Sequence, residues 1–155
     1  MSILIEKLKK ARQSNVEVEG RTFTITRPTP MQAMEWLVGL GGVALSQDEL
    51  KLFFEQHFSL HNETWRNLAT AAIERFVIDW PGLQEIDLIP GGTGVPVAFD
   101  RELFLLWVQD YPAIVTGLGY HIFESWLNYL AAQDADEKKP ETGLNPEVLA
   151  EPPTA

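Results

Sequence analysis

Residues 76–112 read FVIDWPGLQEIDLIPGGTGVPVAFDRELFLLWVQDYP. An apolar run reaches Asp79-Trp80-Pro81-Gly82, and a glycine cluster (Gly91, Gly92, Gly94) leads into Val95-Pro96-Val97. Phe99-Asp100 then opens a strongly apolar helical stretch, with Asp100 carrying the chemistry of an N-cap. The stretch lacks the features of a catalytic site and reads as a rigid connector between two helical halves. Within it, Val77 to Trp80 and Ile86 to Ile89 are candidate short strands, and Val95 to Phe99 is a candidate partner for one of them.

Upstream, Ile3, Leu4, Leu8 and Ala11 recur at helical spacing, which predicts a short amphipathic helix over 2–13. Val16-Glu17-Val18 and Thr22-Phe23-Thr24-Ile25-Thr26 alternate about Glu19-Gly20, the pattern of a β-hairpin over about 15–27. Val16, Val18, Phe23 and Ile25 are its apolar contributors. Thr29 suits an N-cap and Pro30 a first helical residue, because proline lacks only a hydrogen that would be orphaned there. The helix that follows, to about Leu40, carries Met31, Met34, Leu37 and Val38 on one side. Ser46-Gln47-Asp48-Glu49 fits a capping box before Leu50, Phe53, Phe54 and His57. A further helix over about 62–75 turns Trp65, Leu68, Ala72 and Ile73 inward.

Downstream, Leu103, Leu106 and Trp107 mark the helix begun at Asp100. Tyr111-Pro112 starts a last helix to about Ala132, through Ile114, Val115, Leu118, Ile122, Phe123, Trp126 and Leu130. Gly117 and Gly119 inside it cost roughly 1 kcal/mol each relative to Ala. Close approach of another backbone, or a kink, would explain them. From Gln133 the chain turns acidic and proline-rich, the composition of a disordered tail. The expected fold is α+β and predominantly helical. One domain (1–132) holds the hairpin and the connector (about 76–99), and the tail spans 133–155.

Composition narrows function. The chain has 155 residues, a length that supports one domain with a real core. Its hydrophobic fraction of 45%, with five Trp and eight Phe, excludes a mainly disordered chain. A net charge of −10 argues against nucleic-acid binding, which needs clustered Lys and Arg to displace counterions. The slight basic cluster Lys7, Lys9, Lys10, Arg12 fits the solvated face of a short helix. There is no cysteine, so thiol catalysis, disulfides and thiolate metal sites are excluded. The start of the chain does not read as a signal peptide, and apolar runs such as Leu103–Val108 are too short to span a bilayer. An intracellular location without membrane association is expected.

Candidate chemistry thins out on inspection. His57 and His61 have metal-ligand spacing but lack the intervening glutamate of a metalloprotease helix, and a third ligand would have to be Glu63 or His121. Gly91-Gly92-Thr93-Gly94 is followed by extended Val95-Pro96, whereas a phosphate loop runs directly into a helix. Asp79, Asp87, Asp100 and Glu102 read as turn and cap residues, and Ser46, Ser59 and Ser125 lack a nucleophile elbow. Asn62-Glu63-Thr64 is an acceptor sequence for glycosylation only in a secreted chain. No catalytic residue, cofactor or metal is expected, and the chain reads as a non-enzyme. The aromatics exceed what a small helical domain must bury. Phe53, Phe54, Trp107, Trp126 and Tyr129 are candidates for a partner-binding surface, which would suit an amphipathic helix.

The segment Val16-Glu17-Val18-Glu19-Gly20-Arg21-Thr22-Phe23-Thr24-Ile25-Thr26-Arg27-Pro28-Thr29-Pro30 resembles the opening of several tail assembly chaperones of long-tailed bacteriophages. A second match is Val77-x-x-Trp80-x-Gly82, the glycine-rich turn, Val95-Pro96, Phe99-Asp100 and a helical pair. The resemblance covers most of residues 16–130. It implies a structural role for Trp80, Gly82, Pro96, Phe99 and Asp100. It also implies a protein of the host cell cytoplasm that coats the helical tape measure protein, keeps it soluble until the tail tube assembles, and is absent from the virion. A longer frameshifted product that recruits tail tube subunits is implied as well, and Lys138-Lys139 is compatible with an A-rich slippery stretch. Self-association is left open. The alternative is a minor tail or head-completion component retained in the virion. A small metal-dependent hydrolase using the connector acids is a third class.

Overall fold

A computed structural model describes residues 2–36, 48, 51, 52, 55 and 63–137. The elements are α1 (Ile3–Ala11), β1 (Gln13–Val18), β2 (Arg21–Thr26), α2 (Pro30–Trp36), α3 (Glu63–Phe76), β3 (Val77–Asp79), α4 (Glu85–Leu88), α5 (Arg101–Val108) and α6 (Pro112–Glu137). The architecture is α+β and mainly helical, with a small sheet near the N-terminus.

The hairpin forms as its sequence dictates. Val18 pairs with Arg21 and Val16 with Phe23, leaving Glu19-Gly20 as a two-residue loop. Both loop residues have positive φ, 52° and 77°, the geometry that matches the twist of the flanking strands. Val18, Phe23 and Ile25 are buried on the inner face. On the outer face Thr24 donates to Asn15 across the strands at 2.7 Å. β3 adds to β2 antiparallel, with an irregularity at Thr24/Ile25, so the sheet order is β1-β2-β3.

The core lies between this sheet and the helical pair α3–α6. Trp65, Leu68, Ala69, Ala72, Ile73 and Phe76 are the buried stripe of α3. Ile114, Leu118, Ile122, Phe123 and Trp126 are buried along α6. Gly119 marks the closest approach: a Cβ there would stand 2.9 Å from Ala69 Cβ and 3.2 Å from its Cα. A Cβ at Gly117 would meet Val18 Cγ1 at 2.5 Å, so this second glycine accommodates the hairpin. Of the two explanations for these glycines, close approach is the one the packing supplies.

Two caps are realised with geometry. Gln32 N–H donates to Thr29 Oγ1 at 3.1 Å and Thr29 N–H to Gln32 Oε1 at 3.0 Å, a reciprocal capping box at the start of α2. Leu103 N–H donates to Asp100 Oδ1 at 2.9 Å, opening α5.

Several expectations are corrected. Met31 and Met34 are exposed (73% and 68%), while Ala33 and Trp36 face inward. The larger indole takes the core side, and its Nε1 donates to Leu68 O at 3.0 Å. In α5, for which no inward side was assigned, Phe104, Trp107 and Val108 are buried and Leu106 is exposed. Ile86–Ile89 does not form a strand: Glu85–Leu88 is one helical turn. Val77–Asp79 pairs with β2 rather than within the connector, where the sole bridge among the described residues is Gln84 with Pro96. α6 continues to Glu137, past the expected end at Ala132. Ser46, Phe53, Phe54 and His57 lie outside the described residues, as do Leu37 to Leu40 of the preceding helix and the tail beyond residue 137, while residues 48, 51, 52 and 55 of the predicted stretch are helical.

Replacing Gly119 by Ala tests the α3–α6 contact. Alanine favours an exposed helix by about 1 kcal/mol over glycine, but the clash with Ala69 is against backbone-anchored atoms that cannot swing away. Gly119→Ala is therefore expected to lower stability by about 1–2 kcal/mol in chemical denaturation. An unchanged or raised midpoint would show slack between the helices.

Candidate functional site

The connector is built around Trp80. Its side chain is 1% exposed and meets Phe99, Phe104 and Trp107 at ring-centroid distances of 5.2, 6.2 and 6.1 Å, all edge-on. Such edge-to-face contacts add to area burial. The indole Nε1 donates to Val97 O at 2.9 Å, tying the two ends of the connector together. Pro81 and Gly82 turn the chain directly after it: Leu83 N–H reaches Trp80 O at 3.2 Å and Gly82 has φ 76°, as a type II turn requires. Pro96 bridges Gln84, and Val97 N–H donates to Leu83 O at 2.9 Å. Arg101 lies over the Phe99 ring at 5.6 Å and donates to Glu74 O and Val77 O at 2.6 and 2.9 Å. That arginine joins the start of α5 to the end of α3 and was not singled out by sequence reasoning. Its nearest signal is its place directly after the cap residue.

The connector acids are occupied by local structure. Asp79 accepts from Trp80 N–H at 2.8 Å and Asp87 from Gln84 N–H at 2.9 Å. Glu85 accepts from both Thr93 N–H (2.8 Å) and Thr93 Oγ1–H (3.0 Å). Ile86 N–H donates to Thr93 O, and Gly92 N–H to Ile89 O, both at 2.9 Å. The glycine-rich turn is thus closed on a carboxylate of its own chain, which opposes an incoming phosphate. Among the described residues no group of three or more His, Asp or Glu could hold a metal ion. His57, His61, Ser46 and Ser59 lie outside the described residues. Ser125 Oγ bonds back to Ile122 O at 2.6 Å, within its own helix.

The aromatic candidates divide. Trp107 and Trp126 are buried, at 7% and 6% exposure, so neither presents a partner surface. Trp107 packs against Phe23 of the sheet and Trp80 of the connector, and Trp126 is covered in part by Tyr129. Tyr129 is half-buried, stacked on Trp126 at 5.7 Å and covered by the Arg27 guanidinium 3.7 Å from its ring centroid. Burial lowers the Arg27 pKa from its ordinary value; the Tyr129 hydroxyl opposes that shift, and Arg12 adds to it. Phe53 and Phe54 lie outside the described residues.

The exposed apolar side chains fall elsewhere. Ile3, Leu4, Ile5 and Leu8 of α1 are 45–74% exposed, and α1 buries none of its residues. Met31 and Met34 stand three residues apart on α2, and Ile86, Ile89 and Val95 project from the connector. A groove of about 440 Å³ lies between α3, α5 and the start of α6. A smaller pocket of about 200 Å³, lined by Gly20, Arg21, Thr22, Pro81, Gly82, Leu83 and Asp87, joins the hairpin turn to the connector. No described helix is long and apolar enough to cross a membrane. No family model, curated protein or solved structure matches the chain.

Removing the Trp80 side chain deletes both the aromatic contacts and the bond to Val97 O. Trp80→Ala is expected to cost about 3–5 kcal/mol, a large share of a total near 5–15 kcal/mol. Urea denaturation measures it, and a midpoint within error of wild type would remove Trp80 from its central place.

The Glu85 pKa is lowered by the two Thr93 hydrogen bonds, the backbone one foremost. A lowered folded pKa means that the bond is complete above the ordinary glutamate range. It is lost as pH falls through the lower folded value. The Thr93 amide shift should titrate below the ordinary glutamate range in NMR, and Glu85→Gln should abolish that titration. A Thr93 shift that titrates identically in the variant would place the cause elsewhere.

Proposed function

We propose that this chain is a tail assembly chaperone of a long-tailed bacteriophage: a non-enzymatic binding protein of the infected cell that holds the tape measure protein soluble before the tail tube assembles. The observation that carries the proposal is a division of labour. Polar groups of the connector that might do chemistry are spent on caps and turns. Meanwhile methionines stand out on α2. The residues behind the resemblance fit the same division, since Trp80, Gly82, Pro96, Phe99 and Asp100 all sit in the framework.

Met31 and Met34 are our choice for the client-gripping surface. Unbranched thioether side chains adapt to irregular apolar partners and are over-used at permissive binding surfaces. On α2 they share one side of a helix whose first turn is fixed by the Thr29–Gln32 box and whose other side is pinned by Trp36. A long amphipathic helix presents a complementary stripe. A frameshifted longer product would add the attachment to tube subunits.

Co-expression with the tape measure protein of the same tail gene cluster tests this. The wild-type chain should raise the soluble fraction of that protein several-fold. Met31→Glu/Met34→Glu should lose most of the effect while its unfolding midpoint stays within about 0.5 kcal/mol of wild type, as exposed positions allow. A tape measure protein that stays insoluble beside the wild-type chain would reject the reading. Stoichiometric amounts of the chain in purified virions would point to a retained structural part instead.

A further inference from the structure

Among the described residues, nothing covers the apolar stripe of the N-terminal helix or the groove between α3, α5 and α6. On α1, Leu4, Ile5, Leu8 and Ala11 form a continuous stripe at helical spacing, and none of them is buried. Ser2 Oγ accepts from Leu4 N–H at 3.1 Å and so caps the helix. Lys7 and Lys9 flank the stripe, and Lys10 and Arg12 add to a cationic segment whose single acid is Glu6, in a chain of net charge −10. The groove, about 440 Å³, is lined by Ile73, Leu105, Val108 and Val115, and its polar lining includes one cation, Arg66, and one acid, Glu74, beside Thr70. That volume falls within the roughly 300–1,000 Å³ of binding clefts.

The helix cannot reach the groove of its own chain. Arg27 N–H donates to Arg12 O at 2.7 Å, so α1 is rooted beside Arg27, which lies over Tyr129. Val115 is fourteen residues earlier than Tyr129 on the same helix, about 21 Å away at 1.5 Å per residue. α1 is nine residues long, about 13 Å, and Gln13 enters β1 directly after Arg12.

We infer that α1 of one copy docks its Leu4–Ile5–Leu8 stripe in the α3/α5/α6 groove of a second copy, giving head-to-tail self-association. Charge favours this occupant: a basic helix on an acidic body is drawn to another acidic body, whereas an anionic bilayer would repel the rest of the chain. The inference stands apart from the chaperone reading, because it uses neither Met31/Met34 nor a client. The two surfaces differ within each copy, so the contact is heterologous and propagates as rings or open chains.

Sedimentation velocity of the full chain, from a few micromolar to about 500 µM, reads the outcome; a small interface associates weakly. Wild type should grow from monomer to dimer and larger species with concentration. Leu8→Asp spoils the helix and leaves the groove, and Thr70→Lys, on an exposed position of α3, spoils the groove and leaves the helix. Each variant should stay monomeric with an unchanged circular dichroism spectrum, yet their 1:1 mixture should form heterodimers that stop at two copies. Wild type that stays monomeric throughout, association that survives either variant, or a mixture that fails to pair would each overturn the inference. So would Leu8-dependent flotation of monomeric wild type with phosphatidylglycerol vesicles, which would assign the helix to lipid.

Discussion

The Trp80 indole is held at two kinds of site at once. Its rings are boxed by Phe99, Phe104 and Trp107, and its Nε1 donates to the Val97 carbonyl seventeen residues on. The first set of contacts fixes α5 against the connector; the second fixes the connector's exit against its entrance. Phe23 of the hairpin then packs at tilted angles on the same Phe104 and Trp107, at 6.2 and 6.5 Å. One side chain therefore aligns sheet, connector and the second helical half. The remaining polar groups of the segment follow as local consequences: Asp79 takes up the Trp80 amide just before the turn, Asp87 and Asp100 start helices, and Glu85 closes the glycine loop.

A second cluster divides the labour. Trp36 meets Phe76 and Phe123 edge-on at 5.8 and 5.6 Å, and Trp65 meets Phe123 at 6.3 Å. This group belongs to the helical layer, where Gly119 lets α6 approach Ala69 of α3. The fold thus has two aromatic centres bridged by α6, one gripping the connector and one gripping α2. Exposed apolar side chains are left on α1, which neither centre recruits, and on the outward sides of α2 and the connector.

Features fixed by short-range chemistry were legible in the sequence. Glu19-Gly20 announced the hairpin and Asp100 its helix, because each requirement lives within a few residues; Gly117 and Gly119 left close approach and kink both open, and the sequence-distant Val18 and Ala69 decide for close approach. What failed was the choice of face. Met31 and Met34 and the pair Ala33 and Trp36 are both helically spaced, and contacts distant in sequence, with Phe76, Phe123 and the Leu68 carbonyl, decide which enters the core. Ile86–Ile89 was ambiguous for a related reason: a four-residue apolar run suits strand or helix. Here Asp87 and the Glu85–Thr93 bonds select one helical turn. The burial of Trp107 and Trp126 is a tertiary outcome that a count of aromatics does not contain.

α6 runs unbroken from Pro112 to Glu137, and residues 131–136 are all exposed. Those last turns touch no core and form a stiff arm about 10 Å long at 1.5 Å per residue. A partner fused directly after Glu137 would begin its search for a target from the end of this helix, along the direction of the helix axis. The arm sets the centre of that search and the body sets the shadow behind it, so local concentration at a tethered target depends on geometry as much as on tether length. Shortening the arm by two residues would rotate its end by more than half a turn, re-aiming the attachment without altering a single contact of the core.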